Sequence, residues 1–150
     1  MKHWLMRSEP DAFSIDHLAK VGREPWTGVR NYQARNFMRQ MEVGDGVLFY
    51  HSSTAVPGVV GLAEVASLPY PDPTQFLKKS HYFDPKSTRE EPRWSLVDVA
   101  FKRKLKRVIS LEELKQNAAL FDDFSLLRRG NRLSVSPVTA AQWKTILSLE

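Results

Sequence analysis

The sequence predicts an α+β domain in which a mixed β-sheet or small barrel carries short helices at its periphery. Three observations lead to this fold class: five or six short apolar or alternating segments, four short segments with helix caps, and connections that are mostly hairpin-like. Strands and helices therefore do not alternate as they do in a doubly wound fold. The chain of 150 residues is a single domain's length, and its 42% hydrophobic content is that of an average globular protein.

The N-terminal region begins with an apolar strand. Residues 3–7 form a short run that ends at the turn sequence SEPD. Ser14 then caps a helix over residues 14–20, and the helical spacing extends the inward-facing set to Val21. The sequence from Trp26 to Gly28 is typical of a turn.

The middle of the chain contains one helix and a hairpin. Asn31 is a plausible cap for a helix that continues through Met41. Residues 47–51 have the branched and aromatic content of a buried strand, and residues 58–67 are its predicted antiparallel partner.

The second half opens with an unusually long loop. Residues 69–93 contain five prolines and little periodicity, and a loop of this length inside a compact domain is commonly functional or disordered. Residues 94–101 alternate as a strand that continues into the basic run 102–107. A capping box predicts the start of a helix over residues 110–117. Residues 133–136 alternate between apolar and polar and are predicted to be the last strand. A second capping box at residues 139–142 predicts the start of the final helix.

The charge of the chain is concentrated in its second half. Residues 1–75 have a net charge of −1, whereas residues 76–150 have a net charge of +6. The basic run, which we define as residues 102–107, supplies five cations. Such clustering favours a polyanionic partner, and we expect the basic run and the turn around Arg129 and Arg132 to form one positive face. The alternative for the basic run is a solvated strand edge that discourages aggregation.

Several kinds of chemistry have no signature here. The chain has no cysteine, its four histidines show no metal-ligand spacing, and no phosphate-binding glycine loop or serine-hydrolase elbow occurs. No signal peptide or membrane span is recognisable. We therefore expect a cytoplasmic binding module without catalytic residues, metal, cofactor or membrane partner.

Four blocks of the sequence resemble proteins of the EVE-domain family, in order and over nearly the whole chain. They are WLMRSEP at residues 4–10, WTGVRNYQARNF at residues 26–37, VLFYHS at residues 47–52 and LLRRGNRLSV at residues 126–135. The resemblance implies a PUA-like fold, a mixed barrel-like sheet with helices around it, and kinship with the YTH domains, which hold a methylated adenine in an aromatic cage. It also implies a partner: DNA or RNA carrying a modified base.

The resemblance, together with sequence context, suggests which residues form a base pocket. Trp26 and its neighbour Thr27 lie in a predicted turn, where a core tryptophan is unusual. Trp26 is therefore a candidate for a pocket wall on which a base stacks. The alternative is that its side chain covers the end of the barrel. Tyr82 and Phe83 are candidates for the opposite wall. Further candidate ligand-binding residues follow the first strand (Ser8 and Glu9), open the helix after the turn (Asn31, Tyr32 and Arg35), end a central strand (His51 and Ser52) and surround Gly130 (Arg129, Asn131 and Arg132).

Some of these residues have plainer interpretations, and two other functions stay open. Glu9 is either a reader of an exocyclic amine or a turn cap, and Asn31 is either a reader or a helix cap. An enzyme acting on a modified nucleotide could use Glu9 or Asp98 as a base, and a small-molecule binder would have only incidental basic features. Salt dependence separates these functions, because a polyanion reader loses affinity steeply with salt.

Overall fold

The computed structural model describes residues 1–150 and contains eight strands and four α-helices. In chain order they are β1 (His3–Ser8), α1 (Ile15–Val21), β2 (Arg23–Pro25), α2 (Tyr32–Arg39), β3 (Gly46–His51), β4 (Gly58–Val65), β5 (Tyr70–Pro71), β6 (Ser95–Leu96), β7 (Asp98–Ser110), α3 (Leu111–Gln116), β8 (Val135–Val138) and α4 (Ala140–Ser148). Three short 3₁₀ turns lie at Pro73–Phe76, Ala118–Leu120 and Ser125–Leu127.

Six of the strands form one curled sheet with the order β2-β7-β4-β3-β1-β8, and β5 pairs with β6 separately. The predicted hairpin of β3 and β4 is present, and the sheet is a half-barrel of mixed direction. The α+β fold class is therefore confirmed. Within the sheet, β1 and β3 run parallel, with Ser8 opposite His51, so the carboxyl ends of both strands lie at the same edge.

The sheet is buried on both faces. Alternate residues of β1 illustrate this, because Met6 belongs to one hydrophobic cluster and Leu5 to another. The first cluster lies under α1 and α2, where it includes Leu18 and Met38. The second lies under α3 and α4 and includes Leu114 and Ile146. Burial on both faces explains why β3 is an unbroken apolar run rather than an alternating one.

All four predicted helix caps are present. The side chains of Ser14, Asn31, Ser110 and Thr139 each accept a hydrogen bond from the backbone N–H three residues later, at 3.0–3.1 Å. Each cap supplies an acceptor for an N–H group that the helix itself leaves unpaired.

Some element boundaries differ from those predicted. Val21 is 56% exposed rather than inward, because Gly22, at φ 81°, ends α1 immediately after it. The helix α2 ends at Arg39, two residues before Met41. Because β2 is only three residues long, it shows no periodicity in the sequence, and it exists through its pairing with β7.

Two predicted strands are also altered. The last strand starts at Val135 and extends through Pro137, which is tolerated because β8 is an edge strand paired only with β1. The strand predicted over residues 94–101 is divided at Val97, where the chain leaves its pairing with β5 and joins the large sheet. None of the helices is long and apolar enough to cross a membrane.

Candidate functional site

A cavity of about 520 Å³ opens beside the carboxyl end of β1, and we call it the first cavity. Its walls come from residues 7–9 and 12–13, from residues 24–30, and from Tyr82 and Ser134. Five predicted site residues line it, namely Ser8, Glu9, Trp26, Thr27 and Tyr82. The volume lies within the range of roughly 300–1,000 Å³ that small-molecule sites occupy.

Trp26 is both a wall of the first cavity and a part of the core. Its side chain is 8% exposed and meets the ring of Phe49 edge-on, with the ring centroids 5.5 Å apart. Phe13 packs against it in the same edge-on manner at 6.4 Å. The inference that a tryptophan in this turn-like sequence lies outside the core is therefore wrong, because the segment after β2 folds back onto the sheet.

Tyr82 also lines the first cavity, and its ring can pack there because Gly28 has no side chain. A Cβ atom on Gly28 would lie 2.5 Å from Cζ of Tyr82, closer than any such contact found in proteins. Gly28 also has a φ of 88°, a conformation that other residues rarely adopt. The guanidinium of Arg30 lies 5.4 Å from the centre of the Tyr82 ring and donates to the Tyr82 carbonyl oxygen at 2.8 Å. The aromatic wall thus depends on Gly28 and Arg30 together.

Asp72 joins this wall to the proline-rich loop. Its buried carboxylate accepts hydrogen bonds from the Gly28 N–H at 2.8 Å, from Arg30 at 3.1 Å, and from both the N–H and hydroxyl of Thr74. Burial by itself would raise the pKa of Asp72, but these hydrogen bonds outweigh it and the pKa is lowered. The carboxylate is therefore ionised and holds residues 28–30 in place.

The long loop over residues 69–93 is ordered by a second buried side chain. The amide of Gln75 donates to the carbonyl oxygens of Asp72 and Trp94 and accepts from the Trp94 N–H and the Ser87 hydroxyl. The Trp94 indole donates to Asp84 at 2.7 Å. Together with the short β5–β6 pairing, these contacts give the loop a fixed conformation in which Tyr82 lines the first cavity.

The residues that line the first cavity include two acids, Glu9 and Glu24, and two arginines, Arg7 and Arg30. All five N–H groups of Arg30 already donate to protein acceptors. Ser8 contributes less than expected, because its hydroxyl donates to the carbonyl oxygen of Phe13 at 2.5 Å. Carboxylates accept from exocyclic amines, so Glu9 and Glu24 are the groups with which the cavity can read a base edge.

Arg7 is the most unusual of these groups. Its Nε is buried and has no hydrogen-bond partner, and its guanidinium carbon lies 5.6 Å from the centre of the Tyr50 ring. Burial lowers the pKa of Arg7, and the nearby Tyr50 hydroxyl opposes this effect. Sequence reasoning missed Arg7, Arg30 and Phe13 as site residues, although Arg7 and Arg30 lie inside the blocks that carry the family resemblance.

A second cavity of about 590 Å³ is lined by Arg7, by residues 52–53 after β3 and by residues 126–131. It contains three further predicted residues, Ser52, Arg129 and Asn131. The amide of Asn131 is already used within its own turn, where it donates to the Ser125 carbonyl oxygen and accepts from the Leu133 N–H. Asn131 is therefore less available to a ligand than Arg129, whose side chain forms no ion pair or hydrogen bond within the protein.

Six predicted residues line neither cavity, namely Asn31, Tyr32, Arg35, His51, Phe83 and Arg132. Asn31 is the cap of α2, which is the plainer of its two interpretations. Tyr32 stacks on Trp94 with centroids 4.8 Å apart, and the Arg35 guanidinium covers the other face of the Tyr32 ring. These two side chains brace the outside of the loop rather than face the cavity.

His51 is a hydrogen-bond acceptor in the structure. Its Nε2 accepts from the backbone N–H of Ile15 at 3.1 Å, at the start of α1. Burial lowers the pKa of His51; the nearby Asp16 carboxylate opposes this effect, and the Lys104 ammonium adds to it. The neutral ring is therefore used to hold α1 against β3.

The basic run does not present five free cations. Lys102, Arg103, Lys104 and Arg107 form ion pairs with Glu64, Glu150, Asp16 and Glu113, respectively, at 2.7–3.5 Å. Only Lys106 is unpaired in this run. Four of the five positive charges in the basic run are therefore neutralised by acidic side chains that lie outside the run.

Asp98, the second candidate base of the enzyme interpretation, lies outside both cavities. It accepts two hydrogen bonds from Arg23 and one from the Tyr70 hydroxyl, and burial together with this contact raises the pKa of Tyr70 to about 12. Asp98 is therefore a structural ion-pair partner. No group of three or more His, Asp or Glu side chains is placed to hold a metal ion.

Comparison with known proteins agrees with the resemblance noted in the sequence. Residues 2–149 match the EVE domain family. Mouse thymocyte nuclear protein 1 is 43% identical over 166 residues, covering 99% of this chain and 73% of that protein. A crystal structure of a Pseudomonas putida protein is 51% identical, covers 98% of both chains and has a TM-score of 0.94.

A further similar structure is that of human THYN1 in complex with DNA containing 5-methylcytosine. It is 41% identical to this chain, covers 99% of this chain and 97% of that one, and has a TM-score of 0.95. Because the family match extends over nearly the whole sequence and the relatives exceed 40% identity, the chain belongs to the EVE domain family.

Proposed function

We propose that this protein is a non-catalytic nucleic-acid-binding module that reads a modified base in the first cavity. The observation that carries the proposal is the likeness to human THYN1, whose structure contains DNA with 5-methylcytosine. At this degree of similarity over the full domain, a shared class of ligand is the simplest expectation. The first cavity is where a base extruded from the stack would be held.

The lining of the first cavity supports this assignment. Trp26 and Tyr82 contribute aromatic surface, and base–aromatic stacking contributes roughly 1–3 kcal/mol per base. The carboxylates of Glu9 and Glu24 can accept from the exocyclic amine of cytosine or adenine. All five N–H groups of Arg30 donate to protein acceptors, so Arg30 holds the Tyr82 segment in place before the ligand arrives rather than contacting the base itself.

A binding role fits these groups better than catalysis. The two candidate bases are separated, since Glu9 lines the first cavity and Asp98 is engaged with Arg23 and Tyr70 elsewhere. Within the cavity the side chains offer acceptors, donors and aromatic faces without a nucleophile activated by a neighbouring base.

The test is a binding screen with the purified protein. Matched DNA and RNA oligonucleotides carrying 5-methylcytosine, other modified bases or no modification are titrated at two salt concentrations. We expect tighter binding to one modified base, and affinity that falls as salt rises. Equal affinity for all oligonucleotides, or salt-independent binding of a free nucleoside, would contradict the proposal. The second result would instead support the small-molecule alternative.

Glu9→Gln tests whether the carboxylate reads the base. The amide keeps the shape but replaces one acceptor with a donor, so the affinity for an oligonucleotide that carries the preferred base should fall by about tenfold or more. Glu42→Gln is the matched control, because Glu42 is exposed and lines neither cavity. Unchanged affinity in Glu9→Gln would remove Glu9 from the recognition mechanism.

A further inference from the structure

We propose that the second cavity binds the phosphodiester adjacent to the base held in the first cavity, and that Arg7 contacts this phosphate. The inference rests on the proposed function, because it assigns a path to the nucleic-acid backbone. It goes further by naming a second site, its ligand chemistry and the residue that joins the two sites.

The charge of the second cavity is one-sided. Its lining contains four cationic side chains, Arg7, Lys115, Arg128 and Arg129, and no carboxylate. Arg128 pairs with Asp123, and that pair is exposed. Arg7, Lys115 and Arg129 take part in no ion pair in the structure, unlike most of the basic run. The first cavity differs, since its lining residues include two acids, Glu9 and Glu24, beside two arginines.

The Nε–H of Arg7 lacks the acceptor that a buried N–H group normally has. Its Nε is buried without a hydrogen-bond partner, and such groups are rare in folded proteins. The planar guanidinium offers two parallel N–H donors, which suit the oxygens of a phosphate. A phosphate in the second cavity would supply the missing acceptor. Ser52 and Ser53 line the same cavity and add hydroxyl groups.

Arg7 is also the geometric link between the two cavities, because it lines both. The first cavity opens beside the cluster that contains Trp26, and the second opens beside the cluster that contains Tyr50 and Leu126. These clusters lie on opposite faces of the sheet. Arg7 shares its face of β1 with Leu5, so its side chain lies beside Tyr50 on the side of the second cavity, one residue from the end of β1. Because both linings include Arg7, a nucleotide whose base enters the first cavity has its backbone near Arg7 and the second cavity.

Two charge-matched double variants test the inference. Lys115→Ala with Arg129→Ala removes two cations from the second cavity, and Lys104→Ala with Lys106→Ala removes two from the basic run. We expect the first variant to bind modified and unmodified oligonucleotides more weakly by the same factor, about tenfold or more, with a flatter salt dependence. The second variant should bind nearly as the wild type does. Equal losses in both variants, or a larger loss in the second, would overturn the inference.

A direct measurement uses an abasic oligonucleotide, which has phosphates but no bases. At low ionic strength we expect this probe to shift the ¹H–¹⁵N signal of the Arg7 Nε–H and the backbone signals of residues 126–131. Absence of these shifts would overturn the second cavity as a phosphate site. The proposed function is judged separately, by the preference of the wild type for a modified base. A protein that binds the abasic probe here without such a preference would keep the phosphate site and lose the proposed base reading.

Discussion

Replacing Gly28 with alanine should damage the first cavity far more than it damages the fold. Two effects on stability can be separated. The φ of 88° at Gly28 costs an alanine about 1–2 kcal/mol. The new Cβ would also meet the Tyr82 ring at 2.5–2.8 Å, so the ring must move. Tyr82 is 39% exposed and can swing into solvent, losing mainly its contact with the Arg30 guanidinium, worth about 0.5–1 kcal/mol.

Gly22→Ala is the matched control for this experiment. Gly22 has a similar φ of 81°, but no atom lies within 4 Å of the position that its Cβ would take. It therefore carries the backbone strain without the clash. In urea denaturation, Gly28→Ala should be less stable than Gly22→Ala by only about 0.5–1 kcal/mol.

Binding should separate the two variants clearly. Gly28→Ala displaces the Tyr82 wall and should lose roughly 1–3 kcal/mol of base affinity, on the order of ten- to a hundredfold, whereas Gly22→Ala should bind normally. In a Tyr82→Ala background, the effect of Gly28→Ala on affinity should largely vanish, because both changes remove the same wall. Wild-type affinity in Gly28→Ala would refute the assignment of Tyr82. A loss of stability several kcal/mol beyond that of Gly22→Ala would refute the expectation that the ring moves freely.

Three further predictions concern groups that support the site. Asp72→Ala leaves buried N–H groups and Arg30 without their acceptor, so the free energy of unfolding should fall by roughly 3–5 kcal/mol in urea titrations. Trp26→Ala should lower the free energy of unfolding by roughly 3–5 kcal/mol, so its melting curve must be measured alongside its binding. A decrease below about 1 kcal/mol would contradict the position of Trp26 in the core. Burial lowers the pKa of His51 below its usual 6.5, so the unfolded chain takes up a proton first and stability is lost as pH falls below 6.5. The variant His51→Gln can still accept the hydrogen bond from the Ile15 N–H but cannot take up a proton. Its free energy of unfolding, measured between pH 7 and 5, should therefore fall less than that of the wild type. An equal fall in both proteins would show that other groups cause the pH dependence.

Local signals in the sequence predicted much of the fold. The caps at Ser14, Asn31, Ser110 and Thr139 place all four helices, because each cap acts within three residues of itself. The strands β3 and β4 were also predictable from composition. The short strand β2 was not, since its three residues are held only by partners about 75 positions away in the chain.

The candidate site was predictable only in part, for the same reason. Trp26, Glu9 and Tyr82, which were predicted as site residues, line the first cavity, whereas Phe83, predicted as part of the same wall as Tyr82, does not. The sequence could not show that Tyr32 and Arg35 brace the outside of the loop, or that Arg7 lines two cavities. The ligand-binding roles of all these residues stay predictions.

The sequence by itself determined the fold class, the helix starts, the family and the excess of positive charge in the second half. Only the tertiary structure decided where that charge is available. Four cations of the basic run are paired with acids that lie between 6 and 88 positions away, whereas Lys115 and Arg129 are left unpaired. A helix cap acts on residues next to it in the chain, so the sequence shows it directly. Whether a cation is available to a ligand depends on the acidic groups that folding brings within a few ångströms of it.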